Sequence, residues 1–336
     1  MMDLVTGATG HIGNTLVRTL LSRGGNVRVL VRPGKPIPAL AGLPVEIAYG
    51  DVLEPDSLNG AMEGIGIVYH LAARISFEAG PDPQTMRVNL EGTRNVLATA
   101  QRHGVRRLVF ASSIYSLRTP VEGPIDESCP FDIASGHGTY DRSKAAASLA
   151  VQQAVQEGLD AVIVCPTAVT GPFDFQRSEA GHGILYNMAP GLKFTVDGAY
   201  DFVDVRDVAQ GMILAAQHGR RGETYILGGE RLTVQDVAQI IWDASGVWHI
   251  GIHLPGWVAD LAADVLPFFT DDPLVTPYSL AAIRANSNIS HRKATVELGY
   301  APRPASTAIM DAVRWWQERS GESLPAPRPV TPAAAQ

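Results

Sequence analysis

The chain has 336 residues, 46% of them hydrophobic and 18% charged, with a formal net charge of -7. That composition supports a sizeable core, and a mildly acidic chain without basic runs is a poor match to nucleic acid. Two cysteines, Cys129 and Cys165, are too few for a disulfide framework and show no metal-ligand spacing, so no metal site is expected.

The first half alternates short β-branched runs with helical segments. MDLVTG, NVRVLVR, VEIAYG, GIVYHLAA, RRLVFASS and DAVIVCPTAV read as strands; HIGNTLVRTLLSRG, EPDSLNGAMEG, QTMRVNLEGTRNVLATAQRHG and Tyr140–Glu157 read as helices. This order predicts an α/β fold with a doubly wound parallel sheet and a smaller, mainly helical C-terminal region. Residues 1–170 form the expected dinucleotide-binding core, with 201–228 returning to it. The stretches 171–200 and 229–320 are left for substrate, and the Pro- and Ala-rich 321–336 reads as a disordered tail. The apolar stretch LPGWVADLAADVLPFF (254–269) is broken by Asp260 and Asp264 and is too short to span a bilayer, so it reads as a buried amphipathic helix rather than a membrane-surface one. With no basic and apolar leader after Met1, the expected location is cytoplasmic, without membrane partners.

TGATGHIG places Gly7, Gly10 and Gly13 between a strand and a helix, where a pyrophosphate could meet free backbone N–H groups. Thr9, His11 and Ile12 complete that cradle. At the end of the second strand stands Val31, where an NAD-binding carboxylate would sit, followed by Arg32 and Lys35. Two cations and no acid favour NADP(H) over NAD(H), which stays possible; the bland reading is solvated loop charge. After the third strand, Asp51 beside Val52 either accepts from an adenine amino group or caps the helix that begins near Pro55.

Tyr140 and Lys144 stand at i and i+4, on one helix face. A nearby ammonium lowers a phenol's pKa towards the range a general acid or base needs. Ser113 ends a strand at the carboxyl edge of the sheet, where its hydroxyl can donate to a carbonyl oxygen gaining charge.

In this setting the sequence resembles the extended short-chain dehydrogenases/reductases, the branch with epimerases, dihydroflavonol reductases and 3β-hydroxysteroid dehydrogenases. TGATGHIG, GDVLEPDSL, VYHLAA, VNLEGTRNVL, FASS, YDRSK, CPTAVTGP and FVDVRDVA occur in the expected order from Asp3 to about Gln317. The resemblance implies that Ser113 polarises a carbonyl, Tyr140 protonates it, and Lys144 holds the nicotinamide ribose and lowers the Tyr140 pKa. It implies support from Asn89, for which helix packing is the plain alternative. Leu71, Ala72 and Ala73 would line the cofactor, and Pro166, Thr167 and Val169 its nicotinamide end; Cys165 stands where the family usually carries Arg. Pairing of the helices around 84–103 and 139–157 would give a homodimer.

Tyr200 replaces the arginine that many sugar-nucleotide enzymes carry before the D-F pair, and Ile114-Tyr115-Ser116 lacks a dehydratase's acid pair. The substrate-side candidates are Arg74, Phe77, Ser113, Tyr115, Phe173 and Tyr186; Phe175, Met188, Trp257, Phe268 and Phe269 read as core or pocket. The expected activity is NADP(H)-dependent reduction of an uncharged, apolar or aromatic ketone or aldehyde. The alternatives are a nucleotide-sugar 4-epimerase with tightly held NAD, binding a diphosphate through Arg177 or Arg284, and a non-catalytic NADP-sensing protein.

Overall fold

A computed structural model describes residues 2–76, 82–119, 122–134, 138–265 and 277–319. Phe77, Phe268, Phe269 and the expected disordered tail 321–336 lie outside these residues.

Seven parallel strands form the central sheet: β1 (Met2–Thr6), β2 (Asn26–Val31), β3 (Glu46–Tyr49), β4 (Ile65–His70), β5 (Arg107–Ala111), β6 (Ala161–Pro166) and β10 (Thr224–Leu227), in the order β10-β6-β5-β4-β1-β2-β3. The order reverses between β1 and β4, and that switch point opens a crevice at the carboxyl ends of the strands. Both faces are covered, which is why β4 (IGIVYH) and β6 (AVIVCP) are buried at every position. Leu4, Val68, Leu108 and Ile163 point to one face, under α2 (Pro55–Met62), α4 (Gly92–Arg102) and α5 (Thr139–Gln156). Val5, Tyr69, Val109 and Val164 point to the other, under α1 (His11–Ser22) and α7 (Val205–His218). A short helix α3 (Pro83–Met86) and a π-helical turn, Arg87–Glu91, lead into α4.

Beyond β6 the chain leaves the main sheet. β7 (Ala168–Thr170) and β9 (Ala199–Asp204) pair in parallel, with β11 (Glu230–Thr233) antiparallel on β9. β8 (Gly191–Thr195) and β12 (His249–His253) make a two-stranded parallel ribbon. Helices α6 (Glu179–Met188), α8 (Val234–Ser245) and α12 (Ala305–Glu318) share an apolar cluster. The helices α9 (Gly256–Val265) and α10 (Pro277–Arg284) share a second, and α11 (Arg292–Leu298) packs on α7.

No described helix is long and apolar enough to cross a membrane. The stretch expected to be a buried amphipathic helix does form α9, but it buries Ala259 and Ala263 and exposes Trp257, Leu261 and Val265.

Candidate active site at the sheet switch point

Gly7 links β1 to α1 with φ +70°, and a Cβ there would lie 2.7 Å from the Ala72 nitrogen. A Cβ on Gly13 would lie 2.2 Å from the Gly7 carbonyl oxygen, so only glycine lets α1 start this close to β1. Gly10 caps α1 without a side-chain hydrogen bond, and the first-turn amides of His11, Ile12 and Gly13 keep no side-chain cap. This is a cradle for an anion, and it fits the pyrophosphate of a dinucleotide. His11 bonds the Pro172 oxygen through Nε2 (2.9 Å), and Gln176 donates to the Thr9 carbonyl (3.0 Å), so the 172–176 segment packs against the cradle.

Arg32 and Lys35 follow β2 as exposed cations, with buried Val31 before them. The Asp51 carboxylate accepts from the Leu53 amide (2.9 Å) rather than capping α2, whose N-cap is Glu54. Val52 is buried, and a Cβ on Gly92 would lie 2.7 Å from its side chain.

The wall after β4 is held from behind by residues the sequence did not single out. Thr6 Oγ1 accepts from the Leu71 and Ala72 amides (3.2 and 3.1 Å) and bonds His70 Nδ1 (2.8 Å). His70 Nε2 meets Thr93 Oγ1 (3.0 Å), whose own proton goes to the Asn89 carbonyl (2.6 Å). Nε2 of His70 must therefore donate, and Nδ1 accepts from Thr6. Complete burial pushes the His70 pKa down to about 3, with the Lys144 charge adding to the effect.

His70 therefore makes the fold acid-sensitive. The unfolded chain takes up its proton below about 6.5 and the folded chain does not, so stability falls with pH from there down to about 3. The slope approaches about 1.4 kcal/mol per pH unit. Asp3, raised to about 6 chiefly by burial, opposes this below pH 6. His70→Asn is expected to lose less stability than the parent between pH 7 and about 5 in denaturant titrations.

The Asn89 amide donates to Ser143 Oγ (2.8 Å) and to the Arg74 carbonyl (3.0 Å), and its oxygen accepts from the Arg74 amide (2.8 Å). Ser143 Oγ in turn donates to the Tyr140 carbonyl (2.7 Å). Asn89 sits in the π-helical turn and ties the segment after β4, with Ala73 and Arg74, to the helix that carries Tyr140.

Tyr140 and Lys144 lie in the first turns of α5, both buried, and the Tyr140 hydroxyl is hydrogen-bonded to buried Ser113 beyond β5. Burial raises the Tyr140 pKa above the usual phenol value, and the Ser113 bond offsets part of that. This departs from the expected lowering by Lys144. The Lys144 amine donates to the Ala111 carbonyl (2.5 Å), stands 4.7 Å from the Phe110 ring centroid, and is itself brought down to about 8 by burial.

A cavity of about 180 Å³ is lined by Ile114 and Asp141, the chain neighbours of Ser113 and Tyr140, while Ser113, Tyr140 and Lys144 themselves are not part of its wall. Tyr115, Thr167, Ala168, Tyr200 and Asp201 line it from the sheet side, and Ala282 and Asn286 from α10 and the turn after it. Pro166 and Val169 flank Thr167 and Ala168 at the ends of β6 and β7. Phe173 and Tyr186 lie outside the cavity wall: Arg18 stands over the Phe173 ring (5.0 Å), and Lys193 over the Tyr186 ring (4.3 Å). Arg74 is turned to Thr85 (3.1 Å) and Asp82 (3.4 Å). Cys165 is buried in β6, with Ser112 and Ser116 bonded to its thiol, which burial pushes up to about 12. Among the described residues no group of three His, Cys, Asp or Glu side chains is arranged for a metal.

A doubly wound sheet with a glycine cradle, and a Ser, Tyr and Lys gathered at its switch point, is the architecture of the extended short-chain dehydrogenases/reductases. The chain belongs to the NAD dependent epimerase/dehydratase family, whose profile matches residues 4–228. It is 35% identical over 325 residues to sterol demethylase protein B of Methylococcus capsulatus, covering 95% of this chain and 99% of that one. It is 28% identical over 326 residues to a 3-beta-hydroxysteroid dehydrogenase of Mycolicibacterium neoaurum, covering 89% and 86%. Among solved structures, gox2253 superposes with a TM-score of 0.80 at 36% identity, covering 95% of this chain and 98% of that one. DesIV, a dTDP-glucose 4,6-dehydratase of Streptomyces venezuelae with NAD and TYD bound, shares the fold at 23% identity (TM-score 0.77; 96% and 98% covered). The family is one of dehydrogenases and reductases working with a nicotinamide cofactor, and the cradle of this chain fits such a dinucleotide.

Proposed function

We propose that the protein is an NADP(H)-dependent reductase of an uncharged, apolar or aromatic ketone or aldehyde, running in reverse as an alcohol dehydrogenase. The observation that carries this reading is the buried Tyr140 hydroxyl bonded to Ser113, with a cavity reached through the chain neighbours Ile114 and Asp141 whose cation is already neutralised. Among the described lining residues the one cation is Arg118, which pairs with Asp132 at 3.7 Å. A nucleotide-sugar diphosphate needs an unspent cationic clamp. Arg284, a candidate for it, is bonded instead to Asp260 (2.5 Å) and the Gly256 carbonyl (3.3 Å).

A nicotinamide held there would supply the hydride for the carbonyl carbon. Ser113 and Tyr140 donate to the carbonyl oxygen as it gains negative charge, and Tyr140 passes its proton to that oxygen. Burial keeps the phenol protonated at neutral pH, the form a general acid requires. Lys144 orients the nicotinamide ribose; Asn89 and Ser143 fix the helix turn that carries Tyr140. The first-turn amides of α1 take the pyrophosphate, and Arg32 and Lys35 take the 2′-phosphate. A homodimer through α4 and α5 belongs to this reading, and a monomer in light scattering would remove that part of it.

Two measurements test the proposal. A carbonyl panel assayed with NADPH and NADH should show turnover favouring NADPH, and Arg32→Ala with Lys35→Ala should raise the KM for NADPH at least about tenfold while leaving that for NADH within about twofold. A parent preference for NADH overturns the cofactor assignment. Mass spectrometry of nucleotide released on denaturation is expected to find little NAD; near-stoichiometric NAD would favour an epimerase, which regenerates its cofactor in each cycle.

A further inference from the structure

Two neighbouring elements of the C-terminal region are built inside out. In the β8–β12 ribbon, the inner face carries Lys193, which is buried, donates to the Tyr186 carbonyl and covers the Tyr186 ring. Gly251 lies on that face too, so near Trp242 that a Cβ would stand 2.8 Å from its ring. The outer face carries Leu192, Phe194, Ile250 and Ile252, all exposed, with Ile250 in register with Leu192 and Ile252 with Phe194. An ordinary surface ribbon turns its lysine out and its aliphatics in. Helix α9 repeats the inversion. Its small residues Ala259 and Ala263 are buried, while Trp257, Leu261 and Val265, at i, i+4 and i+8, face outward. Trp257 is 72% exposed, and Trp248, just before β12, is 67% exposed.

Scattered exposed apolar residues need no explanation, but paired cross-strand rows and a helical stripe of them on two successive elements are surface awaiting cover. We propose that this surface docks on a zwitterionic lipid interface, with the two tryptophans at headgroup depth and the aliphatic side chains below them. Three observations select lipid. Large aliphatics flanked by tryptophan are the side chains that partition into the headgroup boundary. The charges on the exposed side of α9 are Asp260 and Asp264, and the ribbon's lysine is buried beneath it, so attraction to anionic lipid is not the driving force. A second copy placed isologously would bring these acids towards their own counterparts.

The third observation is continuity with the cavity lined by Tyr115, Thr167 and Tyr200. α9 and α10 share one apolar cluster and are clasped by Arg284, from α10, on Asp260 and on the Gly256 carbonyl of α9. α10 and the turn after it, with Ala282 and Asn286, form one wall of the cavity. The docked element is thus the back of that wall. This part of the inference rests on the proposed reduction of an apolar carbonyl, because a bilayer is where such a substrate concentrates.

The full chain, mixed with phosphatidylcholine vesicles and floated on a density gradient, is expected to rise with them and to remain bound at raised salt. Phosphatidylglycerol vesicles should bind it no more tightly. Leu192→Ser, Phe194→Ser and Ile250→Ser combined should weaken flotation at least about tenfold, since each removes roughly a full side-chain burial. The tryptophan emission of the parent, to which exposed Trp248 and Trp257 contribute, should shift to the blue on binding. Absence of parent flotation overturns the proposal, as does salt-sensitive preference for anionic vesicles. So does a triple variant that floats unchanged, or one whose mass in light scattering halves, which would mark an interface between copies. NADPH turnover of a water-soluble carbonyl, measured without lipid, is expected to survive in the triple variant. Loss of flotation with turnover retained confines the failure to docking, whereas absence of turnover in the parent strikes the proposed reaction and leaves the flotation result standing.

Discussion

Tyr140→Phe is expected to lower kcat for carbonyl reduction by about 10³-fold while leaving NADPH affinity within a few-fold of the parent. The substitution removes the one proton that the carbonyl oxygen needs and keeps the ring that fills the first turn of α5. Since the phenol is buried and held above its ordinary pKa, proton donation should stay available across the neutral range, giving reduction a flat pH profile there. Alcohol oxidation needs the phenolate and should climb as pH rises through the same range. Ser113→Ala, which removes the hydroxyl bonded to Tyr140, should cost about 10²-fold in kcat, as loss of one donor to a developing oxyanion does. Cofactor affinity, measured by quenching of protein fluorescence, separates this outcome from misfolding. Near-normal turnover of Tyr140→Phe with intact cofactor binding would refute the mechanism.

The parts of this site that the sequence shows are those written in local spacing. Gly7, Gly10 and Gly13 carry their meaning within one strand-to-helix turn, and Tyr140 and Lys144 within one helix turn. The alternation of β-branched runs and helical stretches similarly yields six of the seven strands of the main sheet, because a strand covered on both faces must be apolar throughout. What the sequence hides is held by distant pairing. Thr6 and His70 are 64 residues apart, and Asn89 and Ser143 are 54 apart, so no window contains either bond. A histidine inside VYHLAA was the available signal: a polar residue in a fully buried strand has to be satisfied by a partner. The β8–β12 ribbon is hidden for the same reason, since its five-residue strands are short and pair across 58 residues. The orientation of α9 is not legible in its composition, which weights Trp257 as core or pocket; Val196, Leu280 and Ile283 instead pack with Ala259 and Ala263.

Gly13→Ala is expected to be the most damaging single-methyl substitution in the cofactor region. The added carbon would stand 2.2 Å from the Gly7 carbonyl oxygen and 2.9 Å from Ala8 Cα, both backbone atoms. A flexible side chain could swing away from such a contact, but here α1 must lift off β1 or the Gly7 turn must reshape. Either movement displaces Leu16 and Val17 from the core they share with Val5 and Val29. Overpacking of this kind costs about 1–3 kcal/mol or more, and it also moves the amides that would receive the pyrophosphate. The variant should therefore melt several degrees below the parent and lose cofactor affinity at least about tenfold, two effects with one origin. Gly60→Ala supplies the contrast. Gly60 lies within α2, is exposed, and a Cβ there meets nothing within 4 Å. With only helix propensity at stake, that change should raise stability by up to about 1 kcal/mol and leave cofactor binding unaltered. If both substitutions shift melting equally, the close approach of α1 to β1 is not what Gly13 protects, and the cradle would owe its shape to the Gly7 turn alone.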